Sequence, residues 1–241
     1  MRPINNRHYD HFLRCFDEER ILRQDEKSKW IGANLSRWWH HVSAETRFHP
    51  PAADRLPDTQ IKRECLKIFC HQDSGYADWQ CLAAVLAWGG QNRKNGALCF
   101  DHFEAEFQPV IAAMRQGQVT STDAYEAFDD LWKKRPAKGL GAAYFTKLIY
   151  FCVSTHDGYI MDQWAAKSIN LLTGQDIVKL SSGWVDQRNT AANYEAYCAA
   201  VERLADDLDT TGEEIELTLF SRGGRQKWPW RQYVVDQDKA A

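Results

Sequence analysis

Apolar residues recur every three or four positions through most of this 241-residue chain, a spacing typical of amphipathic α-helices. The alternation with a period of two that marks half-buried β-strands is scarce. We therefore expect an all-α fold. No internal repeat or low-complexity segment interrupts the pattern, and no stretch approaches the roughly 18 apolar residues that a membrane span needs.

The most apolar helix candidate covers residues 79–88, and Gly89 with Gly90 would end it. Three prolines within residues 43–60 predict a connector there. The other segments with helical spacing are residues 7–25, 59–70, 97–114, 122–133, 142–153, 163–172 and 189–207.

The formal net charge of -3 argues against a generic polyanion-binding protein, which would usually be strongly basic. The charges are unevenly distributed along the chain, however. Residues 133–147 contain five Lys or Arg and no acid, residues 222–231 contain four and no acid, and acids concentrate within 202–216. Local fields therefore permit DNA binding that is weak and salt-sensitive.

The seven cysteines form no CxxC pair, and the amino terminus lacks the apolar run of a signal peptide. We therefore expect reduced, mostly buried thiols in a cytoplasmic protein that does not enter a membrane. The histidines and cysteines within residues 40–71 fit no standard zinc finger in their spacing. We expect neither a metal nor another cofactor.

A Gly-Leu-Gly turn, Gly139-Leu140-Gly141, follows Lys138 and separates two helix candidates. Glycine permits positive φ and close backbone approach, and the second helix would begin with unpaired N–H groups. Such a helix start suits a nucleic-acid phosphate, and the basic residues beside the turn favour this function. A tight turn between helices without a ligand is the alternative. The functional interpretation gains weight from Asp162, which opens the next helix candidate.

This turn and the Tyr-Ile-Met-Asp segment at 159–162 resemble the helix-hairpin-helix DNA glycosylases, in particular the 8-oxoguanine DNA glycosylases and their bacterial OGG-fold relatives. The resemblance implies two helical lobes with a cleft between them. We expect one lobe to contain about residues 1–95 and 175–241 and the other about residues 96–174, with the hairpin at 138–141. Asp162 would lie at the cleft.

In the family that the chain resembles, the aspartate is the essential catalytic residue, which implies this role for Asp162. Bifunctional members also have a lysine two residues after the second hairpin glycine, where this chain has Ala143. The resemblance therefore implies a monofunctional enzyme that uses water. Lys147 follows Ala143 by one helical turn and should share its face, so we interpret it as a base contact or a displaced nucleophile. An ordinary helix N-cap is the alternative for Asp162.

The resemblance extends to the loop after residues 79–88, which is similar to the loop that these enzymes insert into the duplex; a plain helix stop is the alternative. The basic segment 222–231 either binds DNA or packs the tail onto the domain through its two tryptophans. The predicted DNA-binding residues are Lys138, Gly139, Leu140, Gly141, Gln91, Asn92 and Arg225. The predicted base pocket is lined by Ala143, Trp164 and Trp88.

The function that the resemblance implies is that of a DNA N-glycosylase, which flips and excises a modified purine such as 8-oxoguanine or a related guanine derivative. Double-stranded DNA with a modified base would be its partner. Two other functions are compatible with the sequence. One is a catalytically reduced protein that binds a modified nucleobase, a nucleotide or DNA, which the missing lysine and the acidic net charge favour. For such a protein the resemblance to the bacterial OGG-fold group implies an accessory role in anti-phage defence. The other is a helical protein-interaction domain with the tryptophans and the acidic patch at 206–216 as partner surfaces.

Overall fold

The computed structural model describes residues 6–25, 30–134, 139–155, 157–223 and 225–240. Within these ranges, the regular structure consists of twelve α-helices, two short 3-10 or π-helical turns and a small antiparallel β-hairpin. This confirms the all-α prediction. The helices are α1 (Asn6–Leu22), α2 (Leu35–Ser43), α3 (Arg63–Cys70), α4 (Asp78–Trp88), α5 (Arg93–Asp101), α6 (Gln108–Arg115), α7 (Ser121–Lys134), α8 (Ala142–Cys152), α9 (Gln163–Thr173), α10 (Ala191–Asp207), α11 (Gly212–Phe220) and α12 (Pro229–Ala240). Strands β1 (Leu180–Ser181) and β2 (Trp184–Val185) form the hairpin.

The chain divides into two compact units, which we call the terminal unit (residues 1–29 and 159–241) and the central unit (residues 30–158). These boundaries differ from the predicted lobes, because residues 30–95 belong with the middle of the chain. The physical reason is that α4 packs against α6 and α8. Likewise, α9 packs against α10, α11 and α12 and so belongs to the terminal unit.

The central unit is organised around α4, the helix that the sequence singles out as the most apolar. Ten of its eleven residues are buried, and it packs against α2, α3, α6 and α8. Arg115 is a buried cation of this unit. It donates hydrogen bonds to the carbonyl oxygens of Cys70, His71 and Tyr76 and forms an ion pair with Asp78. These bonds satisfy the guanidinium in a setting where an unpaired charge would be costly.

The prediction of one helix over 97–114 is wrong. The structure has α5, a π-helical turn at Phe103–Phe107, and then α6 with Pro109 in its first turn. Proline lacks the N–H that would continue the helical ladder, so a regular α-helix does not run through Pro109, whereas the first turn of α6 accommodates it. The sequence patterns also missed α2, α11 and α12, and the acidic patch at 206–216 includes the start of α11.

The terminal unit assembles α1, α9, α10, α11 and α12, and Trp230 of α12 contacts both α1 and α9. This indole is fully buried, meets Phe12 edge to face at 4.9 Å and donates from Nε1 to Ser168 Oγ. The tail at 222–231 therefore packs through Trp230, as one of the two interpretations of that segment predicted.

Three further observations bear on the sequence-based expectations. No helix among the described residues is long and apolar enough to cross a membrane. All seven cysteines are free thiols, and six of them are buried. Within the described parts of the chain, no three His, Cys, Asp or Glu side chains are grouped so that they could hold a metal ion.

Candidate functional site

The Gly-Leu-Gly turn lies in the central unit, where α7 and α8 pack against each other through Phe128 and Phe145, whose rings stack at 5.3 Å. Gly139 has φ +106°, and a Cβ added to it would come within 2.4 Å of Asn95 O. Only glycine fits this combination of positive φ and close backbone approach. Leu140 is buried under the turn. Lys138, predicted to bind DNA, lies outside the described residues.

Gly139→Ala is expected to lower the free energy of unfolding by about 2 kcal/mol. The new Cβ would collide with a backbone oxygen, and alanine also disfavours the positive φ of this position. Gly90→Ala is the matched control in the same unit. It has φ +73° with open space around the Cβ position, so it should cost only about 1 kcal/mol. Chemical denaturation of both variants measures the difference, and equal losses would contradict the close approach.

Helix α8 begins immediately after its N-cap Gly141, which makes no side-chain capping bond. The first N–H groups of a helix have no acceptor within the helix. A phosphate oxygen is a suitable acceptor for such groups, because the helix dipole also favours negative charge there. The DNA-binding interpretation of Gly139, Leu140 and Gly141 requires such a helix start, and the turn provides one.

Lys147 and Ala143 share one face of α8, as their spacing predicts. Lys147 Nζ donates to the carbonyl oxygen of Ala143 at 2.7 Å and lies 5.2 Å from the centre of the Tyr144 ring. The aliphatic stem runs beside Gly89, since a Cβ added to Gly89 would be 3.1 Å from Lys147 Cδ. Lys147 therefore lies where the end of α4 meets the start of α8.

The residues predicted to insert into DNA lie beside the Gly-Leu-Gly turn, and one of them is bonded to it. Gln91 is buried, donates from Nε2 to Gly139 O and accepts from the backbone N of Asn92. Asn92 caps α5 by accepting from Asn95 N. For Gln91 to enter a duplex, it would first have to give up its bond to Gly139.

Trp88, predicted for the base pocket, ends α4 and is 7% exposed. Its ring meets Phe151 edge to face at 5.0 Å. Its indole Nε1 is buried and has no acceptor among the described residues. A buried donor without an acceptor costs free energy, and an acceptor that reached this N–H would relieve that cost.

In the terminal unit, Asp162 is the N-cap of α9 and is 8% exposed. Its Oδ1 accepts from the backbone N of Trp164 at 2.8 Å and of Ala165 at 3.0 Å. No described residue donates a hydrogen bond to its Oδ2. The ordinary capping interpretation therefore accounts for Oδ1 and does not involve Oδ2.

Trp164 packs beneath a buried arginine that the sequence patterns did not connect with it. The Arg231 guanidinium lies 4.1 Å from the centre of the Trp164 ring and donates to Phe220 O and Ser221 O. Burial lowers the pKa of Arg231 to about 10, and the nearby negative charges of Asp162 and Glu19 act in the opposite direction. Arg225, in contrast, is exposed, as a DNA contact would require.

Behind this stack, the carboxylate of Glu19 is fully buried. Its Oε1 accepts from Ser221 Oγ at 2.7 Å and from the backbone N of Trp230 at 2.9 Å. Burial raises the pKa of Glu19 to about 7, although these hydrogen bonds and the charges of Arg23 and Arg231 oppose the rise. Glu19 thus holds the segment that carries Arg231.

A comparison with known families identifies a related group of proteins. The family model described as "Putative 8-oxoguanine DNA glycosylase OGG-like protein" matches residues 24–220. The matched region includes the hairpin, Lys147 and Asp162. No curated protein and no solved structure matches the chain.

Proposed function

This chain belongs to the OGG-like family of 8-oxoguanine DNA glycosylase-type proteins, and we propose that it is a DNA N-glycosylase that excises a modified purine. The first candidate substrates are 8-oxoguanine and related guanine derivatives. The observation that carries the proposal is the geometry of Asp162. Two backbone N–H groups fix one oxygen of its carboxylate, and the other oxygen accepts no hydrogen bond from the described residues.

The chemistry of base excision explains why such a carboxylate is useful. When the bond between C1′ and the base nitrogen breaks, its electron pair leaves with the base, and positive charge develops on the sugar. A fixed carboxylate near C1′ stabilises that charge without having to reorganise. It can also orient the attacking water and accept its proton as the water oxygen bonds to C1′. The base takes up a proton, and an abasic site remains.

Water is the proposed nucleophile because Ala143 offers only a methyl group and the Lys147 amine donates to the Ala143 carbonyl. When water is the nucleophile, the proposed role of Lys147 is to contact the extruded base. A Lys147 attack would give a Schiff base and could lead to strand cleavage. The two routes differ in whether a covalent intermediate forms.

The central unit offers further groups for binding DNA. The N–H groups at the start of α8 suit a phosphate. The indole N–H of Trp88 is buried, so it can donate to a carbonyl oxygen of a purine base only after DNA binding uncovers it. Because a duplex hides the glycosidic bond, the base must leave the stack, which costs a few kcal/mol. Favourable contacts with the phosphates and the base would offset that cost.

The test is a panel of duplexes that each carry one modified base: 8-oxoguanine, uracil, hypoxanthine or a 7-deazaguanine. After incubation with the protein, alkali converts abasic sites into strand breaks, and the released base is identified by mass spectrometry. We expect release from the 8-oxoguanine duplex and none from an unmodified control. DNA binding without release of any base would overturn the proposal in favour of a catalytically reduced binding protein. If the protein binds no DNA at all, the helical interaction domain becomes the better interpretation.

Borohydride reduction separates the two nucleophiles. Because water is the proposed nucleophile, we expect no protein–DNA adduct to be trapped during turnover, and we expect Lys147→Gln to retain measurable excision. The control is a bifunctional glycosylase treated in parallel, which should be trapped. An adduct that forms with the wild type and disappears in Lys147→Gln would identify Lys147 as the nucleophile.

A further inference from the structure

Trp30 is one of the large apolar side chains that the central unit exposes, and it is 59% exposed. Its polar atom is nevertheless fixed, since the indole Nε1 donates to the carbonyl oxygen of Trp88 at 2.8 Å. A large apolar ring in water is unfavourable, and its orientation would ordinarily be free. Here the edge of the ring is anchored while its surface remains accessible, which is the arrangement of a pre-oriented contact.

The backbone next to Trp30 is also held tightly against the protein. A Cβ added to Gly32 would be 2.3 Å from Trp88 Cα, so the segment lies directly on the end of α4. The N–H of Ala33 donates to Ala87 O, and Ile31 pairs with Lys62 in an isolated β-bridge. The position of the Trp30 ring is therefore fixed by backbone contacts with the end of α4.

The end of α4 connects Trp30 with the predicted DNA-binding residues of the same unit. Trp88 accepts from Trp30, Gly89 runs beside the Lys147 stem, and Gln91 donates to Gly139 in the hairpin turn. The exposed ring, the half-buried amine and the start of α8 thus share one short stretch of chain as their support.

The charge beside Trp30 suits an anionic partner. Lys62 pairs with Ile31 through the backbone, and α3 continues from it with Arg63, Glu64 and Lys67, so that the segment from Lys62 to Lys67 carries three cations and one acid. Arg63 and Lys67 lie over the Tyr150 ring, at 4.2 Å and 4.5 Å from its centre. Tyr150 itself is buried, so the exposed aromatic ring of this region is that of Trp30. Exposed aromatic rings in a region that also carries cations are used by proteins to bind the bases and phosphates of nucleic acids.

We propose that Trp30 is an aromatic platform on which the central unit stacks a base of bound DNA. This inference rests on the proposed function, because it assumes that DNA is the partner. The role does not require a particular base, since every base has a face on which an indole can stack. It also supplies an exposed aromatic contact next to a hairpin whose own neighbours, Trp88 and Gln91, are buried.

Binding is measured by fluorescence anisotropy with a labelled duplex that carries a stable tetrahydrofuran abasic analogue, at several KCl concentrations. Trp30→Ala should weaken binding by about 5- to 100-fold. The slope of log Kd against log salt should stay at its wild-type value, because no charge has been removed. Trp30→Phe should recover most of the affinity. Trp184→Ala is the matched control: this tryptophan is 66% exposed on the terminal unit and should bind DNA like the wild type.

Trp30→Leu guards against a folding defect, since it keeps an apolar side chain without an aromatic face and should still lose affinity. Wild-type affinity in Trp30→Ala or Trp30→Leu, or an equal loss in Trp184→Ala, would overturn the inference while leaving the proposed function intact. A wild-type dimer that Trp30→Ala converts to a monomer would show that the ring packs on a second copy, which also overturns it. If the wild type neither binds DNA nor releases a base, the proposed function itself fails.

Discussion

Asp162→Asn should lower the rate of base excision by at least about 100-fold while leaving the fold and DNA binding intact. Asparagine has nearly the same shape and is an equally good N-cap, so its side-chain oxygen can still accept from Trp164 and Ala165. What it lacks is the negative charge that stabilises the developing cation on the sugar. Single-turnover release of base from the preferred duplex measures the effect, with anisotropy as the check on binding.

Two further variants separate catalysis from capping. Asp162→Ala removes both the charge and the cap, so it should lose activity like Asp162→Asn and also lose about 1 kcal/mol of stability. Thr211 is the N-cap of α11, and its side chain accepts from Glu214 N. Thr211→Ala removes this cap and leaves Asp162 unchanged. It should cost a similar stability and leave excision unchanged.

The combination of losses determines the role of Asp162. If Asp162→Asn excises the base at the wild-type rate, the carboxylate acts only as a cap and the mechanism is wrong. If Asp162→Ala and Thr211→Ala lose excision in parallel with their stability, the loss reflects the packing of the terminal unit rather than the missing charge.

Helices were predictable from the sequence where the segment itself is rich in apolar residues. Residues 79–88 and 142–153 were recognised because their apolar character is local, and both correspond to buried helices, α4 and α8. Helix α11 was missed because its sequence reads as acidic, although Ile215 and Leu219 are buried and Glu214 accepts from Arg23. An acidic side chain that pairs with a distant cation cannot be distinguished from a solvated one by spacing alone.

The candidate site divides in the same way. Gly139 and Asp162 belong to short local motifs, and the structure explains both: one by close backbone approach, the other as a cap. The contact between Arg231 and Trp164 joins residues that are far apart in the chain, so no spacing rule could predict it. Trp30 was missed for a different reason. Its hydrogen-bond acceptor is the backbone oxygen of Trp88. Every residue has such an oxygen, so the sequence does not indicate which one is used.

Glu19→Gln should stabilise the protein at alkaline pH and have little effect at acid pH. The pKa of Glu19 is raised to about 7 by burial, from an ordinary value of 4.5, so the folded state favours the protonated form. Stability from this group is therefore fully present below about pH 4.5 and is lost as the pH rises through about 7. Glutamine stays neutral throughout and does not undergo this loss.

The free energy of unfolding of Glu19→Gln relative to the wild type should accordingly rise by about 2 to 3 kcal/mol between pH 5 and pH 8. Denaturant titrations at both pH values measure the difference, and groups that titrate equally in both proteins cancel from it. Glu18→Gln is the matched control, since it removes the charge of an exposed glutamate on the same helix. A difference that is constant with pH would mean that Arg23 and Arg231 keep Glu19 ionised. In that case the folded protein would contain a negatively charged Glu19 at neutral pH. This charge would lie close to Arg231, because Glu19 accepts hydrogen bonds from Ser221 and from the backbone of Trp230.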